Sequence, residues 1–315
     1  MDLDGDGRPD IVSGSYSRTD NDMAGLFQVL QGTKNGFRKA SVLNGSDGQP
    51  LLLPGTQDAT MKKICTRQFI VDWDGDGRLD LLTGNFEGTF FWFKGEGKGK
   101  FAPKAEPIDA TDGKPLKIAG VHSDPFAIDW DGDGDLDLVS GSSDAGVYWA
   151  ENTAGSGHKP KLKPFVALIP PAKQSNHEID ILREADLKGP THATRVWVAD
   201  ANGDGKLDLL VGDNVILREP VKGLSDDEMR QKLKEWQKSF FTTMKTYGEI
   251  SQDYAKIAEN RAKAGKDVPP EMEEEFKKRK LAMQKANEEI TKFYDARSAF
   301  MKDESTGTVW LYLRK

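Results

Sequence analysis

The residues best suited to chemistry are acidic, and they recur in four copies of one loop pattern. In the copy at residues 72–80, Asp occupies positions 1, 3, 5 and 9, and Gly occupies position 6. Carboxylates at this spacing can supply the roughly six to eight oxygens that Ca²⁺ prefers, while Gly permits the sharp turn inside the ligand ring. The spacing therefore predicts up to four Ca²⁺ sites, one in each loop. The candidate ligands are Asp2, Asp4, Asp6, Arg8 and Asp10; Asp72, Asp74, Asp76, Arg78 and Asp80; Asp129, Asp131, Asp133, Asp135 and Asp137; and Asp200, Asn202, Asp204, Lys206 and Asp208.

Position 7 of each loop is expected to offer its backbone carbonyl, so its side chain can be Arg, Asp or Lys. The alternative without metal is an Asx turn, in which Asp and Gly satisfy a tight turn by themselves. That alternative explains one Asp-Gly pair, but not several acidic groups that converge and repel one another. Asn202 removes one charge from the fourth loop, which predicts weaker binding there. In the first loop, Asp2 and Asp4 are expected to be poorly anchored because almost no strand precedes them.

Two helical classes of calcium loop share part of this pattern, but the flanking sequence does not fit them. The helix-loop-helix calcium hand needs an acidic residue at position 12 and a following helix, and duplicated dockerin-type loops are also entered by helices. Position 12 here is Ser13, Thr83, Ser140 or Val211, and a strand-like segment follows each loop. The sequence therefore favours loops that connect strands.

The segments around the loops repeat as well, and they predict the elements that hold the loops. Residues 68–73 resemble residues 125–130, and each loop is followed by a short apolar segment that ends in Gly. These segments predict strands A and B on either side of each loop. Strand C is predicted at 25–30, 89–94 and 146–152, and strand D at 37–43, 101–108 and 163–169. Repeated units of four antiparallel strands are typical of β-propeller blades. The predicted fold class is all-β, with four recognisable four-stranded blades, of which the first lacks strand A and the last lacks strand D. A closed four- or five-bladed ring and part of a larger ring are both compatible with this pattern.

A polar segment at 222–305 interrupts the last repeat and predicts two helices. Ser225 and Glu228 form a capping-box pattern that begins the first helix. Apolar residues then recur at three- and four-residue steps, which predicts a coiled-coil stripe and an antiparallel hairpin. The predicted stripe residues are Leu233, Trp236, Phe240, Met244, Tyr247, Ile250, Tyr254 and Ile257, then Met272, Phe276, Met283, Ala286, Ile290, Phe293 and Phe300. The predicted domains are therefore propeller repeats at 1–221, a helical insertion at 222–305 and a returning strand C at 306–315.

Bulk composition narrows the classes of partner and the location. The 315 residues carry a net charge of −7, which argues against a nucleic-acid partner because phosphate-binding surfaces are basic. Cys65 is the single cysteine, so no disulfide forms within the chain. No apolar run is long enough to span a membrane. Because the chain starts inside a repeat unit, we expect that an export signal has been removed and that the protein is extracytoplasmic: secreted, periplasmic or on the cell surface.

The four acidic loops and the Leu-Asp-Leu-Leu-x-Gly type of strand that follows them resemble the FG-GAP/VCBS repeat family, which includes the propeller heads of integrin α subunits. The resemblance covers the chain except for the helical segment. It implies a propeller fold and calcium ligation by the Asp side chains, with the residue at position 7 contributing a carbonyl. Propellers of this family often have seven blades, whereas four are visible in this sequence. The motif is specific for the blade type and carries little information about the ligand.

A ligand surface is predicted at the ends of the strands opposite the acidic loops, where the B–C turns and the starts of the A strands meet. The candidate ligand-binding residues are Arg67, Asn85, Glu87, His122, Asp124, Asp144, His192 and Arg195, with Tyr16, Arg18 and Asp20 in the first B–C turn. No catalytic constellation is recognisable, because the four His residues lack a metal-binding spacing and no nucleophile elbow occurs.

Three functional hypotheses follow. The first is a calcium-stabilised, non-enzymatic binding or adhesion module for a protein or a glycan. The alternative is a carbohydrate-active enzyme or a lectin-like propeller. The third is a structural role in which the helical hairpin mediates self-association.

Overall fold

The computed structural model describes residues 1–15, 25–54, 65–172, 180–264 and 268–315. This described part contains seven small antiparallel sheets and two α-helices, so the chain is rich in strands as predicted. Two compact units share the chain. The first comprises Met1–His177, Lys188–Val215 and Gly307–Lys315, and the second comprises Glu178–Leu187 and Ile216–Thr306.

Most of the strands are short. They are β1 (Ile11–Ser13), β2 (Gln28–Leu30), β3 (Gly32–Thr33), β4 (Gly36–Phe37), β5 (Ser41–Val42), β6 (Arg67–Val71), β7 (Asp80–Gly84), β8 (Phe90–Phe93), β9 (Gly95–Gly97), β10 (Lys100–Phe101), β11 (Glu106–Pro107), β12 (Asp124–Ile128), β13 (Asp137–Gly141), β14 (Val147–Ala150), β15 (Val166–Ile169), β16 (Arg195–Ala199), β17 (Asp208–Gly212), β18 (Val215–Pro220), β19 (Met301–Thr306) and β20 (Val309–Tyr312). The helices are α1 (Asp226–Lys263) and α2 (Pro270–Ser298), and a single 3-10 turn spans Glu184–Asp186.

Four sheets of the first unit carry the acidic loops. The second sheet has the order β11-β8-β7-β6 and the third has β12-β13-β14-β15, so both have the four strands that the sequence predicts. The first sheet (β1-β2-β5) and the fourth (β16-β17-β20) have three strands each in the described residues. The first sheet has no strand A beside β1, and the fourth has no strand D beside β20. Four complete four-stranded blades are therefore not observed.

The D strands are shorter than predicted. In the first repeat, the predicted strand at 37–43 is divided: β4 pairs with β3 in a separate hairpin, while β5 pairs with β2 in the sheet. In the second repeat, β10 similarly pairs with β9, and β11 pairs with β8. These outer segments make hairpins with their own neighbours, which apolar alternation along one segment does not reveal.

Buried apolar side chains join consecutive sheets. One cluster includes Phe27 and Phe93 between the first and second sheets. Trp92 and Leu138 belong to the cluster between the second and third sheets, and Val139 and Val211 belong to the one between the third and fourth. Strands that are covered on both faces should be buried at every position and not at alternate ones, and every residue of β7, β8 and β13 is buried.

A joint between consecutive sheets repeats three times. The Gly at the end of strand B lies against the backbone of the Ser or Thr that precedes the next strand A. A Cβ on this Gly would lie about 2 Å from the carbonyl oxygen of that Ser or Thr, so only Gly fits. The hydroxyl of the same Ser or Thr accepts a hydrogen bond of 2.8–2.9 Å from the amide that follows the Gly. The pairs are Gly14 with Thr66, Gly84 with Ser123, and Gly141 with Thr194. The Gly at the end of each of these three apolar segments is thus required by close backbone contact with the next repeat.

On the corresponding face of the fourth sheet, the described residues place no neighbouring sheet. A Cβ on Gly212 would meet only the Cβ of Arg195, at 3.8 Å. Trp197 is 61% exposed and Val309 is 73% exposed, although the side chains at the matching positions of the second sheet, Phe69 and Phe90, pack against the core. Among the described residues, the buried clusters connect the four sheets in sequence and none connects the fourth to the first.

The second unit is built on the helical hairpin. The predicted capping box is present at the start of α1: the amide of Ser225 donates to Glu228, and the amide of Glu228 donates to the Ser225 hydroxyl. Trp236 donates its indole N–H to the carbonyl of Phe293 at 2.7 Å, and farther along the hairpin Arg261 pairs with Glu273 at 2.7 Å. These contacts make the two helices antiparallel.

The predicted apolar stripe is buried mainly near one end of this hairpin. Leu233, Trp236 and Phe300 are buried there, whereas Met244 is 37% exposed. Phe300 lies beyond the end of α2 and not on the helix, although it still packs in the same cluster. The strands β18 and β19, which the sequence did not predict, pair with each other where the chain enters and leaves the hairpin. Neither helix is both long enough and sufficiently apolar to cross a membrane, considering the described residues.

Candidate functional site

The first Asp of each acidic loop organises the turn of its own loop. The carboxylate of Asp2 accepts the amides of Gly5, Asp6 and Gly7 at 2.8–3.0 Å. Asp200 accepts the three corresponding amides of the fourth loop, and these bonds lower its pKa. The two Gly residues of each loop have φ between 73° and 94°, a region in which residues with a Cβ are strained. The repeated Gly residues are thus required by the backbone path.

The Asp at position 9 ties the loop to the sheet. Asp80 accepts the amide of Trp73 on one carboxylate oxygen at 2.8 Å and the amide of Gly95, just after β8, on the other at 2.5 Å. Asp10, Asp137 and Asp208 accept the matching amides in the other three loops. This carboxylate therefore joins the start of the loop to strands B and C at one end of each sheet. Each oxygen keeps a lone pair after accepting one N–H, so the hydrogen bonds do not exclude it as a metal ligand.

Three of the loops bring carboxylates together closely enough to share one cation. One oxygen from each of three side chains lies within 4.8 Å of the others in each group. The groups are Asp2, Asp4 and Asp6; Asp72, Asp74 and Asp80; and Asp129, Asp131 and Asp133. In the fourth loop Asn202 replaces the acid at position 3, and its amide nitrogen donates to Asp204 at 3.2 Å. Whether the fourth loop binds Ca²⁺ more weakly stays a prediction.

Unsatisfied oxygens test whether a cation fits these loops. The Oδ1 atoms of Asp72 and Asp74 are buried and have no hydrogen-bond partner. In the third loop Asp135 is only 4% exposed, and its Oδ1 also has no partner. A buried carboxylate oxygen without a partner is costly, and a bound cation would satisfy it. The donor set, which consists of oxygens, suits Ca²⁺.

Burial raises the pKa values of three acidic residues in the second and third loops. Burial raises the pKa of Asp80 and of Asp137, although the backbone amides on each carboxylate oppose the shift. Burial also raises the pKa of Asp135, and the neighbouring carboxylates of the third loop add to the increase. Each shift reports mainly the cost of removing a carboxylate charge from water.

Lys94 contacts the second loop, although no sequence motif contains it. Lys94 follows β8, and its ammonium lies 2.9 Å from Oδ2 of Asp76 and also bonds Oδ2 of Asp74. Lys94 is the main cause of the lowered pKa of Asp76, and the two carboxylates raise the pKa of Lys94. No motif could have identified it, because it lies 20 residues from Asp74 in the sequence.

The opposite ends of the strands bring several predicted ligand residues together. Arg67, Asp124 and Arg195 begin β6, β12 and β16, where they pair with the Gly residues that end the second strands. The guanidinium of Arg195 lies 3.9 Å from Asp124. Burial raises the pKa of Asp124 to about 6, against the opposing effect of Arg67. His122 is affected electrostatically by both Arg67 and His192, and burial is the main cause of its lowered pKa.

His122 has two unusual features. Its φ is +63°, and Cys65 and Ala193 at the matching positions of the neighbouring repeats have φ of +59° and +52°. A left-handed backbone at a residue with a Cβ is strained, and such strain often accompanies functional sites. The Nε2 atom of His122 is buried without a hydrogen-bond partner, and its ring lies 4.7 Å from that of Phe86, which is 40% exposed.

The other predicted ligand residues are placed differently. Asn85 is fully buried and shapes its own turn by hydrogen bonds to Gly88 and Thr89. Asp144 accepts the Tyr148 hydroxyl at 2.7 Å and the amide of Gly146. Glu87 is half-buried in the turn that begins at Asn85. Tyr16, Arg18 and Asp20 lie outside the described residues.

Comparison with known proteins identifies one family. Residues 72–140 match the FG-GAP-like repeat, and so do residues 129–211, which overlap the first segment. The two matched segments contain the second, third and fourth acidic loops together with their flanking strands. No curated protein and no solved structure shows a significant match to the chain.

Proposed function

Residues 72–211 carry FG-GAP-like repeats, and from this we propose that the protein is a calcium-stabilised, propeller-type binding or adhesion module without enzymatic activity. The ligand would be a protein or a glycan, and the module would act outside the cytoplasm. Four consecutive sheets, joined by a repeated Gly–Ser/Thr contact, support a propeller arrangement of the repeats.

The observation that carries the calcium proposal is the set of buried, unpartnered carboxylate oxygens in the loops. Asp72 and Asp74, at positions 1 and 3 of the second loop, leave two such oxygens. A folded protein rarely leaves polar atoms buried without partners, so these atoms indicate a ligand that satisfies them. The grouped carboxylates of the first loop and their Gly-rich turn extend the proposal to that loop.

Calcium would supply positive charge and coordination to oxygens that the protein has already placed. The Asp residues at positions 1, 3 and 5 would hold it, together with the acid at position 9, which also binds two backbone amides. A site at about 100 times its Kd contributes about 2.7 kcal/mol to folding. Several such contributions are comparable to the whole stability of a domain. The proposed role of the metal is therefore structural.

Thermal unfolding with and without chelator tests this role. We expect the Tm of the protein in millimolar Ca²⁺ to fall by several degrees when EDTA is added. Excess Ca²⁺ should restore the Tm, and Mg²⁺ should restore less of it because Mg²⁺ demands a stricter octahedral geometry. A Tm that does not depend on Ca²⁺ would contradict the proposal.

The proposed ligand surface lies at the strand ends that hold Arg67, His122, Asp124, His192 and Arg195. It is supported by the unpartnered ring nitrogen of His122 and by the exposed ring of Phe86 beside it. A glycan array and a panel of extracellular matrix proteins should reveal a ligand that the wild type binds and that Phe86→Ala with Arg195→Ala does not. Gln31→Ala is a suitable control, because Gln31 adjoins an acidic loop at the other end of a sheet.

Turnover of a polysaccharide by the purified protein would instead support a carbohydrate-active enzyme. Fractionation of the producing cells tests the location, since an extracytoplasmic module should be absent from the cytoplasmic fraction.

A further inference from the structure

One position has the same place beside all four acidic loops. The Asp at position 9 accepts one amide from its own loop and one from the chain just after strand C. The position in question is the residue directly before the second of these donors. The second donors are the amides of Gly32, Gly95, Asn152 and Arg314. The preceding residues are Gln31, Lys94, Glu151 and Leu313. One structural position therefore carries a neutral amide, a cation, an anion and an apolar side chain.

The cation at this position contacts the atoms that a metal would need. The ammonium of Lys94 bridges the carboxylates at positions 3 and 5 of the second loop, Asp74 and Asp76. Arg78 adds a second positive charge, because its Nη2 lies 2.5 Å from Oδ2 of Asp76. The side chain of Asp74 is only 11% exposed, while that of Lys94 is 39% exposed. The lysine thus reaches inward from the solvent to a largely buried acid.

The third loop has the opposite environment. Glu151 takes the place of Lys94, and it pairs with Lys163 at 2.6 Å and not with the loop. Asp135 takes the place of Arg78, and it is buried with an unpartnered oxygen. Among the described residues, no ion pair neutralises the Asp residues of the third loop, whereas two cationic side chains contact those of the second.

We propose that Lys94 is a built-in competitor for Ca²⁺, which makes the second loop a weaker metal site than the third and leaves it partly neutralised when no metal is bound. The inference rests on the proposed calcium function. An incoming divalent ion must displace the ammonium from Asp74 and Asp76 or accept its repulsion at close range. When the ion binds, the ammonium of Lys94 moves into the solvent to which its side chain is already partly exposed. Since it leaves the Oδ1 atoms of Asp72 and Asp74 unpartnered, it lowers the affinity without abolishing the site.

Terbium luminescence can report each loop separately, because Tb³⁺ replaces Ca²⁺ and is sensitised by a nearby Trp. Trp73 lies within the second loop and Trp130 within the third. With the third loop disabled by Asp129→Ala and Asp131→Ala, displacement of Tb³⁺ by Ca²⁺ would report the second loop, and Asp72→Ala with Asp74→Ala would leave the third loop to be reported. We expect Lys94→Met to raise the Ca²⁺ affinity of the second loop by about tenfold, which corresponds to the loss of two partly exposed ion pairs and their repulsion of the metal. Lys100→Met, which removes an exposed lysine from the adjacent hairpin, is the matched control and should leave the affinity unchanged.

The reverse substitution provides an independent measurement. Glu151→Lys places an ammonium beside the third loop and should lower its Ca²⁺ affinity by about tenfold. If Lys94→Met leaves the affinity of the second loop unchanged or lower while the loops still bind Ca²⁺, the role of Lys94 is wrong. An unchanged Ca²⁺ affinity of the third loop in Glu151→Lys would also contradict the proposed role of this position. If neither loop binds Ca²⁺ in the wild type, the proposed calcium function fails, which is a different result.

Discussion

The second and third repeats share their loop pattern but differ in the charges that surround it. Both loops place Asp at positions 1, 3, 5 and 9, and both position-9 carboxylates accept two backbone amides. Lys94 and Arg78 neutralise the second loop, whereas Glu151 and Asp135 occupy the matching positions of the third. The same reversal occurs at the far end of the strands, where Arg67 begins β6 and Asp124 begins β12. The repeated residues thus define the backbone cage, and the variable ones determine how much charge it carries.

The largest effect should be common to both repeats. Replacement of Asp80 or of Asp137 by Ala removes a fully buried carboxylate and leaves two backbone amides without partners. We expect each variant to lose about 3 kcal/mol of unfolding free energy, even in EDTA, because the hydrogen bonds do not require metal. Denaturant unfolding measures this loss. Asp112→Ala, in an exposed turn, should change little. A loss below about 1 kcal/mol at Asp80 would show that its two amide hydrogen bonds do not hold the loop to the sheet.

The next effect should separate the two repeats. Asp131→Ala removes the position-3 ligand of the third loop, and we expect it to reduce the stabilisation by millimolar Ca²⁺ by about 2–3 kcal/mol. Asp74→Ala removes the same ligand from the second loop, where Lys94 already weakens the site about tenfold, and should reduce it by only about 1–1.5 kcal/mol. The difference between unfolding in Ca²⁺ and in EDTA gives both values. Equal losses would show that the neighbouring charges do not distinguish the loops.

A pH-dependent effect is expected at the start of β12. The pKa of Asp124 is about 6 in the folded protein and 3.8 without perturbation, so the folded state holds this proton more tightly. The contribution of protonated Asp124 to the free energy of unfolding is complete below about pH 4, and it disappears as the pH rises through about 6. Asp124→Asn should therefore be more stable than the wild type at pH 8, by about 2 kcal/mol, and should show no such advantage at pH 4. Chemical unfolding at both pH values tests this, and the same difference at both would exclude titration as its cause.

Much of the local structure could be predicted from the sequence. The strands around the acidic loops, the capping box at Ser225 and both helices are present, since each depends on residues that are close in sequence. The FG-GAP resemblance is confirmed over residues 72–211. The D strands were less predictable, because β4 and β10 form hairpins with their own neighbours and shorten the outer strands. Helix continuity was also overestimated near Phe300, which lies just beyond α2.

The candidate sites show the same division. Asp72, Asp74 and Asp80 form one oxygen cluster as their spacing suggests, because a loop of nine residues with two Gly can hardly separate them. In contrast, Asn85 and Asp144 are predicted ligand residues that the structure shows in hydrogen bonds within their own turns. Sequence position placed them on the correct turns but did not reveal that their polar atoms already have partners.

By itself, the sequence determined the acidic cages, the repeat and the helices, because turn geometry and periodicity are properties of a few consecutive residues. Only the tertiary structure decided which side chains approach the cages. Lys94 reaches Asp74 across 20 residues, and the Gly at the end of each B strand meets a Ser or Thr of the following repeat. Such contacts depend on strand register and on the packing of one sheet against the next, where a shift of one residue would direct each side chain to the other face.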